Sequence, residues 1–372
     1  MRRALHRLSP LTWLVLVVLV AAPAALWPWH AGSAAARVER VPAHHLAVGF
    51  RNLNPDFPRP STWARLRSYV RRLGPALRAQ VRASAVADGA EPPPPALAPA
   101  PATDWAALRD DPRPATVTWV GHSTLLVRMD GVRFLTDPQW SEVAGPFGGR
   151  IGAHRYTPPG IPFEALPPID FVLISHDHYD HLDEPTVERL ARVHHPRFVV
   201  PLGIKAWLSD RGITDAVELD WGESTTIGSV RIICTPAQHY SGRTPVDQGR
   251  RLWASWVVLG PDKRFYFAGD SGYYRHFREI GDAFGPFDLA ALPIGSYRPR
   301  ETTRGVHTSP EEALQAWLDL RGRRFVGIHW GTFALAHEPP DEPPRRLAAE
   351  VRRRGVDPEV IWTLQPGETR AW

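Results

Sequence analysis

The chain has 372 residues, 43% of them hydrophobic, which is enough for one large α/β domain with an extensive core. A single cysteine excludes an intramolecular disulfide and leaves the redox compartment open. The formal net charge is +5, and the basic residues are almost all arginines scattered through a chain rich in alanine and proline. This pattern fits compositional bias at least as well as a nucleic-acid partner, and it is compatible with anionic lipid headgroups.

The N-terminus has the pattern of a targeting segment. Three arginines within the first seven residues precede an uncharged stretch, residues 8–29, whose core from 11 to 26 is apolar enough to enter a bilayer. We interpret residues 1–36 as a signal peptide or an N-terminal membrane anchor. Small residues at 31–36 suit a peptidase, whereas the apolar length of about 19 borders on a spanning helix. The protein is therefore expected to be membrane-associated, anchored or exported by this segment, on the periplasmic or extracytoplasmic face.

Residues 37–101 are predicted to form an N-terminal segment ahead of the main domain, residues 102–372. Apolar positions at helical spacing over residues 62–86 predict an amphipathic helix. Its apolar stripe is expected to pack on the core domain, with a lipid surface as the alternative. The proline-rich run 91–101 cannot continue a helix or join the centre of a sheet, so it is predicted to be an extended linker. The main domain is predicted to follow this linker.

The first strands predicted in this domain lie beside two candidate site residues. Residues 117–136 are predicted to form a hairpin that contains His122 and ends just before Asp137. Either side chain could accept the free N–H of a metal-bound imidazole. Either could instead cap a turn.

Residues 176–181 read His-Asp-His-Tyr-Asp-His directly after the apolar run 171–175, so four ligand-type side chains lie on one turn at the end of a buried strand. Imidazole and carboxylate are ligands that zinc prefers, and side chains two apart on a strand face the same way. His176 and His178 can therefore hold one ion, while Asp180 and His181 point toward a second. This hexad predicts a two-metal hydrolytic centre.

Three later ligand-type residues stand in the same setting, each just beyond an apolar run predicted to be a strand. Such strand ends are where open-sheet architectures place their chemistry. Each residue alone is more often a structural hydrogen-bonding side chain. Together with the hexad they complete a set: His239 after residues 230–235, Asp270 after 264–269 and His329 after 324–328.

Helices are predicted between these strands. A short helix is expected over residues 186–191, after the hexad. Residues 309–312 read Ser-Pro-Glu-Glu, a typical helix start, and Gly322 lies beyond the expected end of that helix. The alternation of strands and helices predicts an α/β fold.

The order of the ligand-type residues resembles the metallo-β-lactamase superfamily: His-x-His-x-Asp-His, a later His, a Gly-Asp pair and a final His. Longer blocks resemble the N-acyl-phosphatidylethanolamine-hydrolysing phospholipase D family, from about residue 116 to 344 with a weaker echo at 50–63. The blocks are residues 118–124 (TWVGHST), 135–138 (LTDP), 172–176 (VLISH), 267–273 (FAGDSGY), 285–290 (GPFDLA) and 328–335 (IHWGTFAL). The resemblance implies the metallo-β-lactamase αβ/βα four-layer sandwich, with two mixed sheets and the metals along one edge.

The resemblance also implies a cofactor, two Zn²⁺ ions per chain. A bridging carboxylate holds two dications about 3.5 to 4 Å apart. Metal binding lowers the pKa of a water molecule toward neutrality and neutralises charge on phosphoryl oxygens. The implied ligands are His176, His178 and His239 for the first ion and Asp180, His181 and His329 for the second, with Asp270 as the bridge.

The catalytic residues implied by the resemblance are Asp270, Asp180 and His307. His307 matches a family histidine near the site, for which we expect a substrate or proton-transfer role. Asp177 stands where the eukaryotic relatives have an amide residue. The loop 144–152 does not reproduce the residues that those enzymes have near the lipid headgroup, so headgroup preference stays open.

The resemblance and the N-terminal segment together predict a zinc-dependent phosphodiesterase of phospholipase D type. It would hydrolyse N-acyl-phosphatidylethanolamine or a similar phospholipid to N-acylethanolamine and phosphatidic acid. The expected partners are a phospholipid substrate and a membrane surface, with no nucleic acid. The alternatives are a metal-dependent hydrolase of a soluble phosphorylated lactone or cyclic phosphate, and a scaffold without catalysis, which would require a broken ligand set. The sequence does not determine the oligomeric state, and a homodimer stays among the alternatives.

Overall fold

The computed structural model describes residues 42–57, 97, 108, 111–149, 151–244 and 246–372. The chain divides into two compact units, Met1–Pro42 and Ala43–Trp372, and the structure described below belongs to the second. The predicted signal segment 1–36 and the predicted amphipathic helix lie outside the described residues, as does all of the predicted linker except Leu97. Among the described helices, none combines the length and the apolar character that crossing a bilayer requires.

The described residues form sixteen strands, seven helices and two 3₁₀ turns. The strands are β1 Thr116–Gly121, β2 Thr124–Met129, β3 Val132–Thr136, β4 Val143–Ala144, β5 Ala153–His154, β6 Phe171–Leu173, β7 Arg197–Pro201, β8 Ala216–Leu219, β9 Ser224–Ile227, β10 Val230–Thr235, β11 Ser255–Leu259, β12 Arg264–Phe267, β13 Leu289–Pro293, β14 Phe325–Ile328, β15 Ile361–Trp362 and β16 Thr369–Ala371. The helices are α1 Pro146–Gly149, α2 Glu184–Val193, α3 Ile204–Ser209, α4 His276–Phe284, α5 Arg300–Thr303, α6 Pro310–Asp319 and α7 Glu342–Arg354, and the 3₁₀ turns are Phe163–Ala165 and Pro358–Val360.

Two seven-stranded mixed sheets make up most of the domain. The first sheet has the order β16-β1-β2-β3-β6-β7-β8, and the second has the order β15-β14-β13-β12-β11-β10-β9. In the first sheet the pairs from β16 to β3 are antiparallel and those from β3 to β8 are parallel. In the second sheet the pairs from β9 to β12 are antiparallel and those from β12 to β15 are parallel. The two halves of the domain therefore share one pairing pattern.

Strand side chains in the first sheet alternate between two hydrophobic layers. In β3, Phe134 joins the cluster that faces the second sheet, whereas Leu135 joins the cluster on the opposite face. The Phe134 ring stacks on Phe171 at 4.5 Å and meets Phe265 of the second sheet edge-on at 5.6 Å. Because each such buried ring stabilises the fold by about 1.5–3 kcal/mol relative to exposure, these contacts fix how the sheets pack.

Helices cover the outer face of each sheet. Side chains of α2 and α3, such as Val187, Leu190 and Leu208, pack on the first sheet. Leu314 of α6 and Leu347 of α7 belong to the cluster that includes the second sheet. The predicted four-layer sandwich with two mixed sheets is therefore confirmed.

The predicted helices are present with small differences in length. The helix α2 extends beyond the predicted residues 186–191 at both ends. The helix α6 begins after Ser309, whose side chain accepts a hydrogen bond from the Glu312 backbone while the Glu312 side chain bonds back to Ser309. This reciprocal capping explains why the local sequence was a reliable helix start.

The strand before the hexad ends at Leu173, two residues earlier than the predicted run 171–175. The reason is that the Ser175 backbone N–H donates to the Asp137 carboxylate at 2.7 Å instead of to a neighbouring strand. The carboxyl ends of β3, β6, β12 and β14 lie at one edge of the sandwich, where His329 N–H donates to the His122 carbonyl at 3.0 Å. This contact joins the two sheets at the edge that carries the ligand-type residues.

The buried side chain of His276, the first residue of α4, makes the free energy of unfolding sensitive to acid. Burial lowers the pKa of His276 to about 3, whereas an unfolded histidine titrates near 6.5. Because the folded state favours the neutral ring, the unfolded state binds the proton first, and stability is lost as the pH falls from about 6.5 toward 3.

We predict that His276→Gln reduces this acid sensitivity. Between pH 7.0 and 5.5 the wild-type free energy of unfolding should fall by about 1 kcal/mol more than that of the variant. Urea unfolding of both proteins at the two pH values measures this difference. An equal loss of stability in the two proteins would contradict the prediction.

Candidate metal centre

The first predicted ligand set comes together at the edge of the sandwich. The hexad follows β6 of the first sheet, and His239 follows β10 of the second. His176 Nε2 lies 2.8 Å from His178 Nδ1, and His239 Nε2 lies 3.3 Å from the same nitrogen. Three imidazole nitrogens from two sheets therefore face one point.

The second predicted set forms beside it from Asp180, His181 and His329. His181 Nε2 lies 3.3 Å from Asp180 Oδ2, and His329 Nε2 lies 3.4 Å from the same oxygen. Both imidazoles are buried. His329 has a positive φ of 59°, a left-handed conformation that turns the chain sharply after β14.

Asp270 lies between the two sets, in the position predicted for a bridging carboxylate. Its Oδ2 is 3.2 Å from His181 Nε2 and 3.1 Å from His329 Nε2. The same oxygen is 3.9 Å from His176 Nε2 and 3.7 Å from His239 Nε2. One carboxylate oxygen thus faces imidazoles of both sets.

Gly269 lets the Asp270 backbone reach this position. Its φ of +55° is left-handed, and a Cβ placed there would lie 2.4 Å from the Ser175 Cβ. A side chain would therefore clash with the residue that precedes the hexad. This close approach explains why a glycine precedes Asp270 in the sequence.

The donor set fits a pair of divalent ions. His181 Nε2, His329 Nε2 and Asp270 Oδ1 are buried without a hydrogen-bond partner among the described residues, an arrangement that is costly unless another group binds them. The N···O separations of 3.1–3.4 Å in the second set match those of two ligands bound to one tetrahedral ion, roughly 3.3–3.5 Å. Imidazole and carboxylate ligands are typical of zinc and its first-row neighbours.

Hydrogen bonds to the other ring nitrogens orient three of the imidazoles. Asp137 Oδ2 lies 2.6 Å from His181 Nδ1, the contact predicted for this carboxylate. Ser175 Oγ lies 2.9 Å from His176 Nδ1, and the Val306 carbonyl lies 2.9 Å from His239 Nδ1. Each contact leaves the Nε2 atom facing the centre, as in known metal sites.

His122 adjoins the second set. Its Nε2 lies 2.9 Å from Asp180 Oδ2, a hydrogen-bond distance. Burial, followed by repulsion from His329, lowers the pKa of His122 to about 3. A neutral ring donates this hydrogen bond and holds the carboxylate in place.

Charges within the cluster shift the pKa values of its members. Burial acts to lower the pKa of His181, but the carboxylates of Asp270, Asp180 and Asp137 outweigh it and raise that pKa well above its usual range. Burial acts to raise the pKa of Asp270, but His181 and His329 hold it well below its usual range. The Asp270 carboxylate is therefore ionised, as a metal ligand must be.

His307 reaches the centre from the loop before α6. Its Nδ1 lies 3.8 Å from Asp270 Oδ2 and has no hydrogen-bond partner among the described residues. Burial, partly opposed by Asp270, lowers the pKa of His307 to about 4. The neutral ring lies between His239 and His329, at centroid distances of 5.2 and 5.3 Å, where a substrate group can reach it.

The other two residues of the hexad point away from the ligands. Tyr179 donates to the Arg243 carbonyl at 2.8 Å and stacks under the Arg243 guanidinium. The Asp177 carboxylate accepts hydrogen bonds from Arg251 at 2.7 Å and from the Gly242 backbone at 2.6 Å. The negative charge of Asp177 is thus paired with Arg251 on the far side of the turn. Cys234 lies buried within β10, consistent with a structural role.

A small cavity adjoins the second ligand set. It has a volume of about 160 Å³ and is lined by His122 and His329 together with Phe333, Leu335 and Pro339. Leu335 is 40% exposed at its rim. The cavity offers a mixed polar and apolar surface beside the candidate centre.

Asn52 and its neighbours belong to the site, although no spacing in the sequence indicates it. Residues 43–57, which we call the strap, lie in the compact unit that carries the centre. Asn52 contacts the His239 backbone at 2.7 and 3.1 Å. The weak echo at residues 50–63 was the available signal, but no spacing rule connects Asn52 with a residue 187 positions away.

Comparisons with known proteins agree with this architecture. A family model described as a β-lactamase superfamily domain matches residues 132–330. An N-acyl-phosphatidylethanolamine-hydrolyzing phospholipase D from Caenorhabditis elegans is 44% identical over 229 residues, which cover 59% of this chain and 64% of that protein. A metal-dependent hydrolase from Solibacter usitatus is 30% identical over 261 residues, which cover 69% of this chain and 99% of that protein.

A solved structure shows the same fold. The metallo hydrolase from Ignicoccus hospitalis superposes with a TM-score of 0.53 at 24% identity, over 69% of this chain and 97% of that one. At this identity the similarity concerns the fold alone. Together with the family match, it confirms the architecture expected from the sequence.

We predict that the purified chain binds about two first-row divalent ions. His239→Ala removes a ligand of the first set and His329→Ala removes one of the second, so each variant should retain about one tightly bound ion after dialysis. Mass spectrometry of the metal content measures the count. His195→Asn, a change at an exposed histidine with positive φ, is the matched control and should keep two ions. A single ion in the wild type would contradict the assignment.

Proposed function

Because the chain belongs to the metallo-β-lactamase superfamily and is a metal-dependent hydrolase, we propose that it is a zinc-dependent phosphodiesterase of phospholipase D type. Its substrate in this proposal is N-acyl-phosphatidylethanolamine or a similar phospholipid. The products are an N-acylethanolamine and phosphatidic acid. In this proposal the two zinc ions are held by the six residues of the two ligand sets together with Asp270.

One observation carries the choice of substrate. A nematode N-acyl-phosphatidylethanolamine-hydrolyzing phospholipase D is 44% identical to this chain over 229 residues. The side chains of both predicted ligand sets lie together in the structure, which supports this choice. A scaffold protein without catalytic activity would not need a complete set of metal ligands. The alignment covers less than two thirds of the nematode protein, so its full activity is carried over here only as a proposal.

The reaction breaks the bond between phosphorus and the oxygen of the N-acylethanolamine group, with water supplying the oxygen that replaces it. When bound, a pair of zinc ions supplies a water of nearly neutral pKa and positive charge for the phosphoryl oxygens. Asp270 keeps the two ligand sets in register through one oxygen. Asp180 completes the second set and is itself held by His122.

His307 is the candidate to act on the substrate directly. Its neutral ring and its Nδ1 atom, which lacks a partner among the described residues, face the centre. It can donate a hydrogen bond from an N–H group to a phosphoryl oxygen of the substrate. Asp137 and Ser175 orient His181 and His176 and do not touch the substrate in this scheme.

The surroundings of the centre favour a lipid over a soluble phosphate ester. Phe333, Leu335 and Pro339 line the cavity beside His329, and Leu335 is 40% exposed there. The apolar part of this lining can contact an acyl chain and offers little to a small polar lactone or cyclic phosphate. In this proposal the segment 1–36, outside the described residues, brings the enzyme to the extracytoplasmic face of a membrane.

We predict that the full chain, purified in detergent and loaded with zinc, releases N-acylethanolamine and phosphatidic acid from N-acyl-phosphatidylethanolamine in mixed micelles. Mass spectrometry of both products measures the reaction. Ordinary phosphatidylethanolamine, a cyclic phosphate and a phosphorylated lactone serve as competing substrates. Faster turnover of either soluble compound would replace the lipid assignment with the alternative.

Asp270→Asn tests whether the observed activity belongs to this centre. The amide keeps the size of the side chain but loses the charge that faces both sets, so turnover should fall by at least about 10²-fold. Asp262→Asn, at an exposed carboxylate outside both sets, is the control and should keep wild-type activity. Circular dichroism verifies that both variants are folded. Activity within a few-fold of wild type in Asp270→Asn would exclude the proposed bridge.

A further inference from the structure

The strap lies directly against the loop that carries His239. The Phe50 backbone N–H donates to the Gly249 carbonyl at 2.7 Å. Gly49 has a φ of +79°, and a Cβ there would lie 2.2 Å from the Gly249 carbonyl oxygen. The backbones of the two segments therefore approach as closely as glycine allows.

Asn52 binds the backbone of His239 on both sides. Its Nδ2 donates to the His239 carbonyl at 2.7 Å, and its Oδ1 accepts from the His239 N–H at 3.1 Å. The side chain thus replaces the pair of hydrogen bonds that a neighbouring strand would make. Trp253 Nε1 donates to the same Oδ1 at 3.2 Å, which fixes the amide in this orientation. Asn52 is 8% exposed, so water does not compete strongly for these bonds.

A second asparagine of the strap extends the contact to the loop of His307. Asn54 Nδ2 donates to Gln238 Oε1 at 2.9 Å, and Gln238 Nε2 donates to the Gly305 carbonyl at 3.0 Å. The neighbouring Val306 carbonyl is the group that binds His239 Nδ1. The backbone and the ring of His239 are therefore held by parts of one hydrogen-bonded network.

The start of the strap is fixed by a separate cluster of two histidines and Asp220. His44 Nε2 lies 2.6 Å from Asp220 Oδ1, and His45 Nε2 lies 2.7 Å from Asp220 Oδ2. These are direct hydrogen-bond distances. His44 also stacks on Trp221 at 4.4 Å. The cluster fastens the strap to the domain.

We propose that Asn52 is a positioning residue for the first ligand set, acting by holding the His239 backbone so that Nε2 faces His176 and His178. The inference rests on the proposed metal centre. The inference adds to the ligand set because it assigns the strap, which lies far upstream in the sequence, a role in metal binding. Partners that orient a ligand typically affect metal affinity by about 10- to 100-fold.

The experiment separates the two sets by using variants that each retain one of them. In the His329→Ala background, zinc remains at the first set, and adding Asn52→Ala should weaken zinc binding by about 10- to 100-fold. In the His239→Ala background, zinc remains at the second set, and the same addition should change affinity by less than about twofold. Competition with a chromophoric chelator measures the dissociation constants of the full chain. Asp56→Ala, at an exposed strap position, is the matched control in both backgrounds.

A metal-free readout distinguishes failure of this inference from failure of the proposed function. In the apoprotein, Asn52→Ala should speed amide hydrogen exchange of the peptide around residues 237–241 by at least about tenfold, because two backbone bonds are lost. Asp56→Ala should leave that exchange unchanged. If the wild type bound no zinc, the proposed function would fail while the exchange measurement still tested Asn52.

Asn52→Asp covers the case in which the alanine variant does not fold. The carboxylate keeps the acceptor for the His239 N–H but has no donor for its carbonyl, so first-set affinity should again fall while second-set affinity is kept. Equal weakening in the two backgrounds would indicate a general loosening of the fold and overturn the proposal. Unchanged affinity in both, or unchanged exchange, would overturn it as well.

Discussion

The structure depends on one carboxylate oxygen, Asp270 Oδ2, which lies within 3.1–3.9 Å of five imidazole nitrogens. So many donors cannot be packed together inside a protein at low cost unless cations or hydrogen bonds satisfy them. The surrounding groups bind the opposite ring nitrogens, as Asp137 does for His181. The free edges of the rings are thereby turned toward a shared centre, which is the arrangement that two divalent ions require.

The backbone is bent sharply to bring these side chains together. His122, Asp137 and His329 all have positive φ values, at 51°, 35° and 59°, a region that non-glycine residues adopt at a cost of about 1–3 kcal/mol each. Each of the three is the first residue after a strand, namely β1, β3 or β14, and all three lie at the same edge of the sandwich. The packed sheets behind them supply the stability that offsets this strain. The rigid core is therefore what allows a strained and highly charged edge to persist.

Much of this could be predicted from the sequence because the signals were local. The strand β10 has the predicted bounds, and β3 ends at Thr136 as predicted. The strand β14 begins one residue later than the predicted run 324–328, and β12 ends two residues before the predicted run 264–269 does. The end of β6 was wrong by two residues because a side chain, Asp137, takes the place of a strand partner. The role of Asn52 could not be derived at all, since its contact with His239 joins segments 187 residues apart.

Neither half of the domain can assemble the centre alone. The hexad follows a strand of the first sheet, whereas His239, Asp270 and His329 follow strands of the second. Each ligand set therefore contains residues from both sheets, and the packing of Phe134 against Phe265 sets their separation. An ion that binds residues from both sheets binds the folded chain in preference to the unfolded one, so it stabilises the sandwich by mass action. Folding of the two-sheet domain and metal binding are therefore thermodynamically coupled. A substitution in the core between the sheets is expected to alter metal affinity at their edge.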